Sequence, residues 1–233
     1  SRSRPDKSAK TIAKWKEHWV DLDDNPLRVD YIVSLDSSDP LLGQYGLTRS
    51  YSKSSIIVND NKSAIDAINA GAKIITGDVL IVVSDDTDCP LGWNNIIHDA
   101  IAGKSGILKV FDGIQKWICT MPVMTRDYYE SQGYFYFPEY KHMFCDTDLT
   151  HCADLQKILI IRNDIVFKHN HYSVKGQPKD AVNIKADSTW DSGERTYLKR
   201  CKEKFGLGNV DIFNLSKEAH QAGHVNWLKK KLR

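Results

Sequence analysis

The sequence lacks a CxxC pair, and no apolar run approaches the roughly 20 residues that a membrane-spanning helix needs. Its cysteines are odd in number and irregularly spaced, which argues against a zinc ribbon and against a disulfide framework. They are Cys89, Cys119, Cys145, Cys152 and Cys201. We therefore expect free thiols in a reducing compartment, and a cytoplasmic protein.

The sequence also lacks a large excess of either charge. It has 32 Lys and Arg against 30 Asp and Glu, a formal net charge of +2, which does not favour a nucleic-acid partner. No signal-peptide pattern, repeat or low-complexity linker is visible, and 233 residues suffice for one large α/β domain. The lysine-rich residues 229–233 could touch an anionic membrane, so a peripheral membrane position is the alternative to a freely cytoplasmic one.

Alternating hydrophobic patterns predict an α/β fold. Strands are predicted at residues 29–35, 55–58, 79–83, 107–111, 116–121 and within 157–168. Helices are predicted at residues 12–19, 65–72, 93–102, 125–132, 148–155 and 194–205, with a loop at 176–191. Strands 107–111 and 116–121 are predicted to form a hairpin through Asp112–Gly113. The alternation in the first half favours a mainly parallel central sheet flanked by helices, and the second half is more irregular.

The most informative motif is an acidic cluster directly after a predicted strand. Residues 79–83 are all apolar and four of them are β-branched, which is typical of a buried strand. Asp85, Asp86 and Asp88 follow, at the end of a strand where α/β sheets bind ligands. Three acids within four residues repel one another unless a cation or hydrogen-bond donors satisfy them, and Mg²⁺ or Mn²⁺ suits such oxygens. The cluster predicts a metal–nucleotide site, with an acidic surface loop as the alternative.

Two histidines late in the chain are further candidates for this site. His169 and His171 lie two residues apart, so on an extended strand both side chains face the same way. Imidazole can bind Mn²⁺ or hydrogen-bond phosphate. A structural or solvent-facing pair is the alternative.

Six segments resemble, in the expected order, the inverting family-two type of GT-A glycosyltransferases. They are the Ser-Arg-Ser-Arg-Pro loop at residues 1–5, the strand ending at Asp36, the helix at 61–71, the Asp-x-Asp-type motif at 83–93, the acidic motif at 144–149 and the histidines at 169–171. The resemblance covers most of residues 1–200. That family normally has a buried strand before the first loop, and here the sequence begins at the loop.

The resemblance implies a single GT-A (Rossmann-like) domain and a metal-dependent, hexosyltransferase-like enzyme. Residues 1–103 would form the nucleotide-binding half, 104–200 the acceptor and catalytic half, and 201–233 a helical tail. The enzyme would move a sugar from a UDP- or GDP-sugar to an acceptor hydroxyl with inversion, using Mn²⁺ or Mg²⁺. The acceptor would be a glycan, a lipid-linked molecule or a protein.

The resemblance also implies roles for individual residues. The metal ligands would be Asp86, Asp88, His169 and His171. The nucleotide-sugar would contact Arg2, Arg4, Asp36, Lys62 and Asp85. For Asp88, capping of the following helix is the alternative, and for the two arginines it is a solvated position at the chain terminus.

The catalytic base is predicted within the acidic motif at residues 144–149. Asp146 is the first candidate, but Cys145–Asp146 stands where Glu–Asp is common, so Asp148 stays open. Either acid could instead cap the following helix. Trp93 and Tyr134 are candidate acceptor contacts, with packing in the core as the alternative.

Three other functions fit parts of the pattern. A non-catalytic nucleotide- or sugar-binding protein on a GT-A scaffold would keep Asp36 but could dispense with the metal and the base. A phosphatase motif at residues 86–88 would need Thr or Val at position 90, which is Pro90. A nucleotidyltransferase would need a glycine-rich loop near the start, and residues 1–5 contain no glycine.

Overall fold

The computed structural model describes residues 3–21, 27–45, 54–172, 176 and 179–233. Arg2, predicted to contact the nucleotide, lies outside the described residues. The α-helices are α1 Pro5–Glu17, α2 Ala64–Ile74, α3 Trp93–Ile101, α4 Arg126–Gln132, α5 Cys145–Leu155, α6 Ala181–Asp187, α7 Trp190–Lys202, α8 Lys217–Gln221 and α9 His224–Lys231. The strands are β1 Tyr31–Asp36, β2 Ser54–Asn59, β3 Val79–Ile81, β4 Thr87–Asp88, β5 Ile107–Phe111, β6 Pro122–Thr125, β7 Leu159–Val166 and β8 Lys168–His169.

The strands form a mixed arrangement rather than one mainly parallel sheet. The four-stranded sheet has the order β3-β6-β5-β7, in which β6 runs antiparallel to β3 and β5 and only β5 and β7 are parallel. β1 and β2 form a separate parallel pair, and β4 and β8 form an antiparallel pair. The predicted α/β class is confirmed, whereas the parallel order holds for two strand pairs.

The hairpin was predicted to use residues 116–121 as its second strand. That prediction is wrong, because the strand that pairs with β5 after the turn begins at Pro122. The buried Asp112 carboxylate accepts hydrogen bonds from the backbone N–H groups of Ile114 and Gln115 and from Thr120 Oγ1. These bonds give the segment after β5 polar partners outside a strand ladder. The chain therefore forms an irregular turn before it pairs with β5.

Strand β3 is shorter and more exposed than its apolar run predicts. It ends at Ile81 and lies at the edge of the described sheet, paired with β6 alone. Leu80 is 2% exposed, but Val83 is 37% exposed. A run of β-branched residues thus indicates a strand without fixing its position in the sheet.

The predicted loop at residues 176–191 contains helix α6 and the start of α7. Asp180 and Asn183 form a capping box, in which each side chain accepts a hydrogen bond from the backbone N–H of the other residue. This reciprocal pair satisfies N–H groups at the helix start and favours a helix where composition predicts none.

Two large groups of buried apolar side chains stabilise the fold. One lies between α2, α4, α5, α7 and α9, and the other joins α1 and α3 to the main sheet. Trp15 is central to the second group, since its ring lies 4.7 Å from Trp93 and 5.7 Å from Phe167. Within the described residues, every helix is too short or too polar to cross a bilayer.

Candidate functional site

The turn between β3 and β4 holds Asp85 and Asp86 beside strand β8. β4 pairs with β8 so that Thr87 lies opposite His169, and the backbone N–H of Asn170 donates to the carbonyl oxygen of Asp86 at 2.8 Å. This pairing brings His169 Nε2 to 3.1 Å from Asp86 Oδ1. Two residues 83 positions apart in sequence therefore come within ion-pairing distance.

The two groups stabilise each other's charged form. Burial disfavours charge on Asp86, but His169 and Ser84 beside it lower the pKa of Asp86 to about 2. Burial likewise disfavours charge on His169, but the Asp86 carboxylate outweighs burial and raises the pKa of His169. Asp86 is therefore ionised at neutral pH, as a cation ligand must be.

The Asp86 carboxylate has spare capacity for a ligand. Its Oδ1 is buried and accepts no hydrogen bond of good geometry, since His169 is close enough for ion pairing but is not aligned for a hydrogen bond. A buried carboxylate oxygen without a donor is costly unless something else satisfies it. Among the described residues, however, no group of three His, Cys, Asp or Glu side chains is arranged to hold a metal ion.

These donors fit an ion that shares its coordination with a substrate. Mg²⁺ commonly uses one or two protein carboxylates and takes its remaining ligands from phosphates and water. Asp86 and a deprotonated His169 would suffice for such an ion, because the cation would replace the imidazole proton and a nucleoside diphosphate would supply the other oxygens. His171 lies beside them, with its ring 5.2 Å from that of His169.

Asp88, the fourth predicted metal ligand, points toward another partner. Its carboxylate lies 3.0 Å from the Lys14 ammonium group of helix α1. It sits on β4 opposite Lys168. The ion pair ties α1 to the acidic turn, so the structure brings Asp86, His169 and His171 together and directs Asp88 toward α1.

Arg4 links the N-terminal segment to the acidic turn and to the start of α6. Its guanidinium lies 3.1 Å from Asp85 and 2.6 Å from Asp180, and it also donates to Asn183 at 3.1 Å. Burial lowers the pKa of Arg4, but the two carboxylates outweigh burial and raise it. The planar guanidinium donates to both oxygens of Asp180 through Nε and Nη2 and to Asp85 through Nη1, a bidentate geometry that a lysine ammonium does not offer.

Asp36 and Lys62 are the other described residues predicted to contact the nucleotide. Asp36 is the last residue of β1, and Lys62 lies between β2 and α2. Ser3 donates to both oxygens of the Asp39 carboxylate, three residues after Asp36, at the end of β1. The Asp36 carboxylate accepts hydrogen bonds from the backbone and side chain of Ser38. Lys62 is exposed before α2. The segment at Ser3 and Arg4 thus joins the end of β1 to the acidic turn.

Asp146 lies in the first turn of α5 and is half-buried. Burial raises the pKa of its carboxyl group, although the Thr147 backbone N–H, which donates to it at 2.8 Å, opposes the shift. Asp146 also acts electrostatically on His169 and on His142. Asp146 therefore lies within electrostatic range of a candidate metal ligand, and burial raises the pKa of its carboxyl group.

Asp148 is held in a different environment. Its side chain is 3% exposed and accepts hydrogen bonds from Arg200 and from the Tyr140 hydroxyl. The Arg200 guanidinium also lies 3.9 Å from the centre of the Phe137 ring. This buried ion pair joins α5 to α7. The structure thus gives Asp148 buried partners on α7 and leaves Asp146 half-buried at the start of α5.

The two predicted acceptor contacts lie in different parts of the fold. Trp93 is 3% exposed, and its Nε1 donates to the carbonyl oxygen of Trp15, so the structure places it among the core side chains. Tyr134 borders a groove of about 540 Å³ between β2, α2 and the end of α4. Asn59, Asp66, Asn69, Lys73 and Tyr129 also line this groove, which does not include Asp86.

Sequence reasoning missed two carboxylates that support the site. Asp112 is 2% exposed, its carbonyl oxygen accepts the backbone N–H of His169 at 2.9 Å, and its charge contributes to the raised pKa of His169. Asp180 holds Arg4. The residues at 180–183 fit a capping box, from which the helix could have been predicted. That pattern does not indicate that Asp180 binds Arg4, which lies 176 positions earlier in the sequence.

A close approach between α7 and the start of α5 yields a test of how Asp146 is positioned. A Cβ on Gly193 would meet the Met143 carbonyl oxygen at 2.3 Å, which the backbone cannot accommodate without moving. We expect Gly193→Ala to destabilise the fold by about 1–3 kcal/mol and to lower activity by displacing Asp146. Thermal melts and turnover would check this. Gly43→Ala, where a Cβ meets nothing within 4 Å, should change neither.

Phe144 explains why this approach matters for Asp146. It precedes α5 with φ at +71°, in the left-handed region that is uncommon for a residue with a side chain. Its ring packs against Trp190 at 5.0 Å and Tyr197 at 5.8 Å between ring centres. The α7 aromatic side chains thus hold the bend from which Asp146 projects.

Comparison with solved structures finds a similar fold. A mannosyltransferase, PcManGT from Pyrobaculum calidifontis, solved in complex with GDP-Man and Mn²⁺, aligns with a TM-score of 0.52 and 10% sequence identity. The alignment covers all of this chain and 81% of that chain. No protein-family model and no curated protein sequence matches the chain. At this identity the likeness shows a shared fold.

Proposed function

We propose that the protein is a metal-dependent glycosyltransferase that uses a nucleotide-diphosphate sugar. The observation that carries the proposal is the Asp86–His169 ion pair in the turn between β3 and β4, where the buried Asp86 Oδ1 accepts no hydrogen bond. The fold shared with a mannosyltransferase that was solved with GDP-Man and Mn²⁺ supports the same proposed function.

The charge balance of the site favours a divalent cation. The carboxylates of Asp86, Asp112 and Asp146 act electrostatically on His169, and Asp85, next to Asp86, pairs with Arg4. Such an excess of carboxylates is costly without a cation. Mn²⁺ or Mg²⁺ held by Asp86 and His169 would neutralise the charge that develops on a departing diphosphate.

The chain's own residues would bind and orient the donor. Asp85 would accept hydrogen bonds from the nucleotide ribose, and Asp36 would contact the base. Arg4 would offer its forked donors to phosphate oxygens, which requires it to share or exchange its present bonds to Asp85 and Asp180.

Asp146 would act as the general base of a single displacement. The acceptor hydroxyl oxygen forms a bond to the anomeric carbon while the bond from that carbon to the diphosphate oxygen breaks. The hydroxyl proton moves to the Asp146 carboxylate, and the nucleoside diphosphate leaves. Attack from the opposite face inverts the anomeric centre, and the raised pKa of Asp146 suits it to accept a proton.

The proposal is tested by donor binding followed by donor hydrolysis. UDP, GDP, CMP and dTDP, each with and without Mn²⁺, are screened by thermal stabilisation, because a ligand that binds only the folded state raises its stability. We expect UDP or GDP to stabilise the protein only when Mn²⁺ is present.

Hydrolysis then separates an enzyme from a non-catalytic binding protein. GDP-mannose and the matching UDP-sugars are incubated with protein and Mn²⁺, and release of the nucleoside diphosphate is measured. A transferase is expected to leak sugar slowly to water. Binding without release, in the presence of a range of acceptor glycans, would support the binding protein instead, and no stabilisation by any nucleotide would contradict both functions.

A further inference from the structure

Basic side chains are concentrated in the last part of the chain. Residues 195–233 hold ten Lys and Arg against three Asp and Glu, a net charge of +7, whereas residues 1–194 hold 22 against 27, a net charge of −5. The overall charge of +2 conceals this division. Lys229, Lys230, Lys231 and Arg233 are all exposed at the end of α9. Such an asymmetry indicates an anionic partner at this end of the molecule.

An exposed indole ring lies beside these lysines. Trp190, the first residue of α7, is 51% exposed. Glu194 lies one helical turn further on the same face and accepts an ion pair from Lys231 at 2.7 Å. The Phe144 ring contacts both Trp190 and Trp227 of α9, at 5.0 and 6.1 Å between ring centres. Trp190 and Lys231 therefore lie on one side of the α7–α9 contact, and the other basic residues of α9 follow Lys231 closely in sequence.

We propose that this α7–α9 surface, formed by Trp190, Lys229, Lys230, Lys231 and Arg233, docks the protein on an anionic lipid bilayer. Lysines near a membrane are attracted by its negative surface potential. Tryptophan prefers the boundary between headgroups and acyl chains, because its ring is apolar and its N–H is polar. The two features together match an anionic bilayer surface.

Charge and shape favour a bilayer over nucleic acid. The negative charge of residues 1–194 would repel a polyanion that extended beyond the basic end, whereas a bilayer needs to meet only one surface.

The surface lies next to the Asp146 end of the candidate site. Phe144, whose ring contacts Trp190, is two residues before Asp146 and immediately before α5. Docking through the α7–α9 surface would therefore hold that end of the site close to the lipid headgroups. The docking itself does not rest on the proposed glycosyl transfer.

Vesicle binding without nucleotide or metal tests the proposal independently of the enzymatic activity. The protein is sedimented with vesicles of phosphatidylcholine alone or of phosphatidylcholine mixed with phosphatidylserine. We expect binding to the mixed vesicles only, weakened by added salt. The combined change Lys229→Gln, Lys230→Gln and Lys231→Gln should weaken binding by about 100-fold, because each lysine contributes to attraction by the surface potential.

Two further variants test whether vesicle binding depends on where the lysines lie and on the Trp190 indole. The control change Lys73→Gln, Lys104→Gln and Lys116→Gln removes the same charge elsewhere and should leave binding within about twofold. Trp190→Ala should weaken binding about 10-fold by removing apolar area from the interface. Thermal melts confirm that each variant is folded.

Three outcomes would overturn the proposal. The first is equal sedimentation of the protein with neutral and mixed vesicles, or with neither. The second is an equal loss of binding in the control triple variant. The third is binding to duplex DNA, at the same salt concentration, as tight as binding to the mixed vesicles.

Discussion

Asp86→Asn is expected to weaken Mn²⁺-dependent binding of a nucleoside diphosphate by at least about 100-fold. Asparagine keeps the size of the side chain but loses the charge that makes Asp86 a ligand for a divalent cation. The fold should survive, since Asp86 lies in a turn after an edge strand rather than in the core. Isothermal titration with GDP or UDP, with and without Mn²⁺, measures the effect.

A matched control separates metal binding from general charge loss. Asp99→Asn removes one carboxylate from the exposed face of α3, where its side chain is 80% exposed. It should leave affinity unchanged. If Asp86→Asn retained the Mn²⁺-dependent affinity of the unaltered protein, Asp86 would not hold the ion.

Asp146→Asn is expected to lower turnover by about 10²- to 10⁴-fold and to leave donor affinity nearly unchanged. The amide preserves size and most hydrogen bonding, but it cannot accept the acceptor's proton. Initial rates of sugar transfer give turnover, and titration of the nucleotide gives donor affinity. Product stereochemistry by NMR is the independent check, because retention at the anomeric carbon would exclude a single displacement.

The comparison with Asp148→Asn distinguishes a base from a structural acid. Removing one partner of the buried Asp148–Arg200 pair should cost about 3–5 kcal/mol of the free energy of unfolding. Turnover for each folded molecule should fall much less than in Asp146→Asn. The reverse ranking, with Asp148→Asn slow but stable, would move the base to Asp148.

Local sequence signals predicted much of the chain's secondary structure. The apolar periodicity of α2 and α3 and the β-branched runs of β1 and β7 each favour one structure over a sufficient length. The start of α5 was predicted three residues late, since Phe144 adopts a left-handed conformation that only its aromatic neighbours explain. The order of the strands depended on pairings between distant segments, so the mixed sheet was not predictable from local patterns.

The candidate site was predicted in its residue types more than in its contacts. The acids at residues 85–86 and the histidines at 169–171 are visible in the sequence, and the structure brings Asp86 and His169 together. The separate roles of Asp146 and Asp148 were not predictable, because they depend on Arg200, which lies 52 positions beyond Asp148. The sequence left Trp93 open between a ligand contact and a core residue, because an aromatic residue after an acidic motif fits both, and the structure places it in the core packing.

The most direct test of the metal site is a crystal structure with Mn²⁺ and GDP-mannose or the best UDP-sugar, using anomalous scattering to locate manganese. The account predicts a manganese peak bonded to the Asp86 carboxylate and to the donor's phosphates, with His169 or His171 as a ligand or joined through one water. Bound nucleotide with no manganese at Asp86, or with both imidazoles more than about 6 Å from the ion, would contradict it.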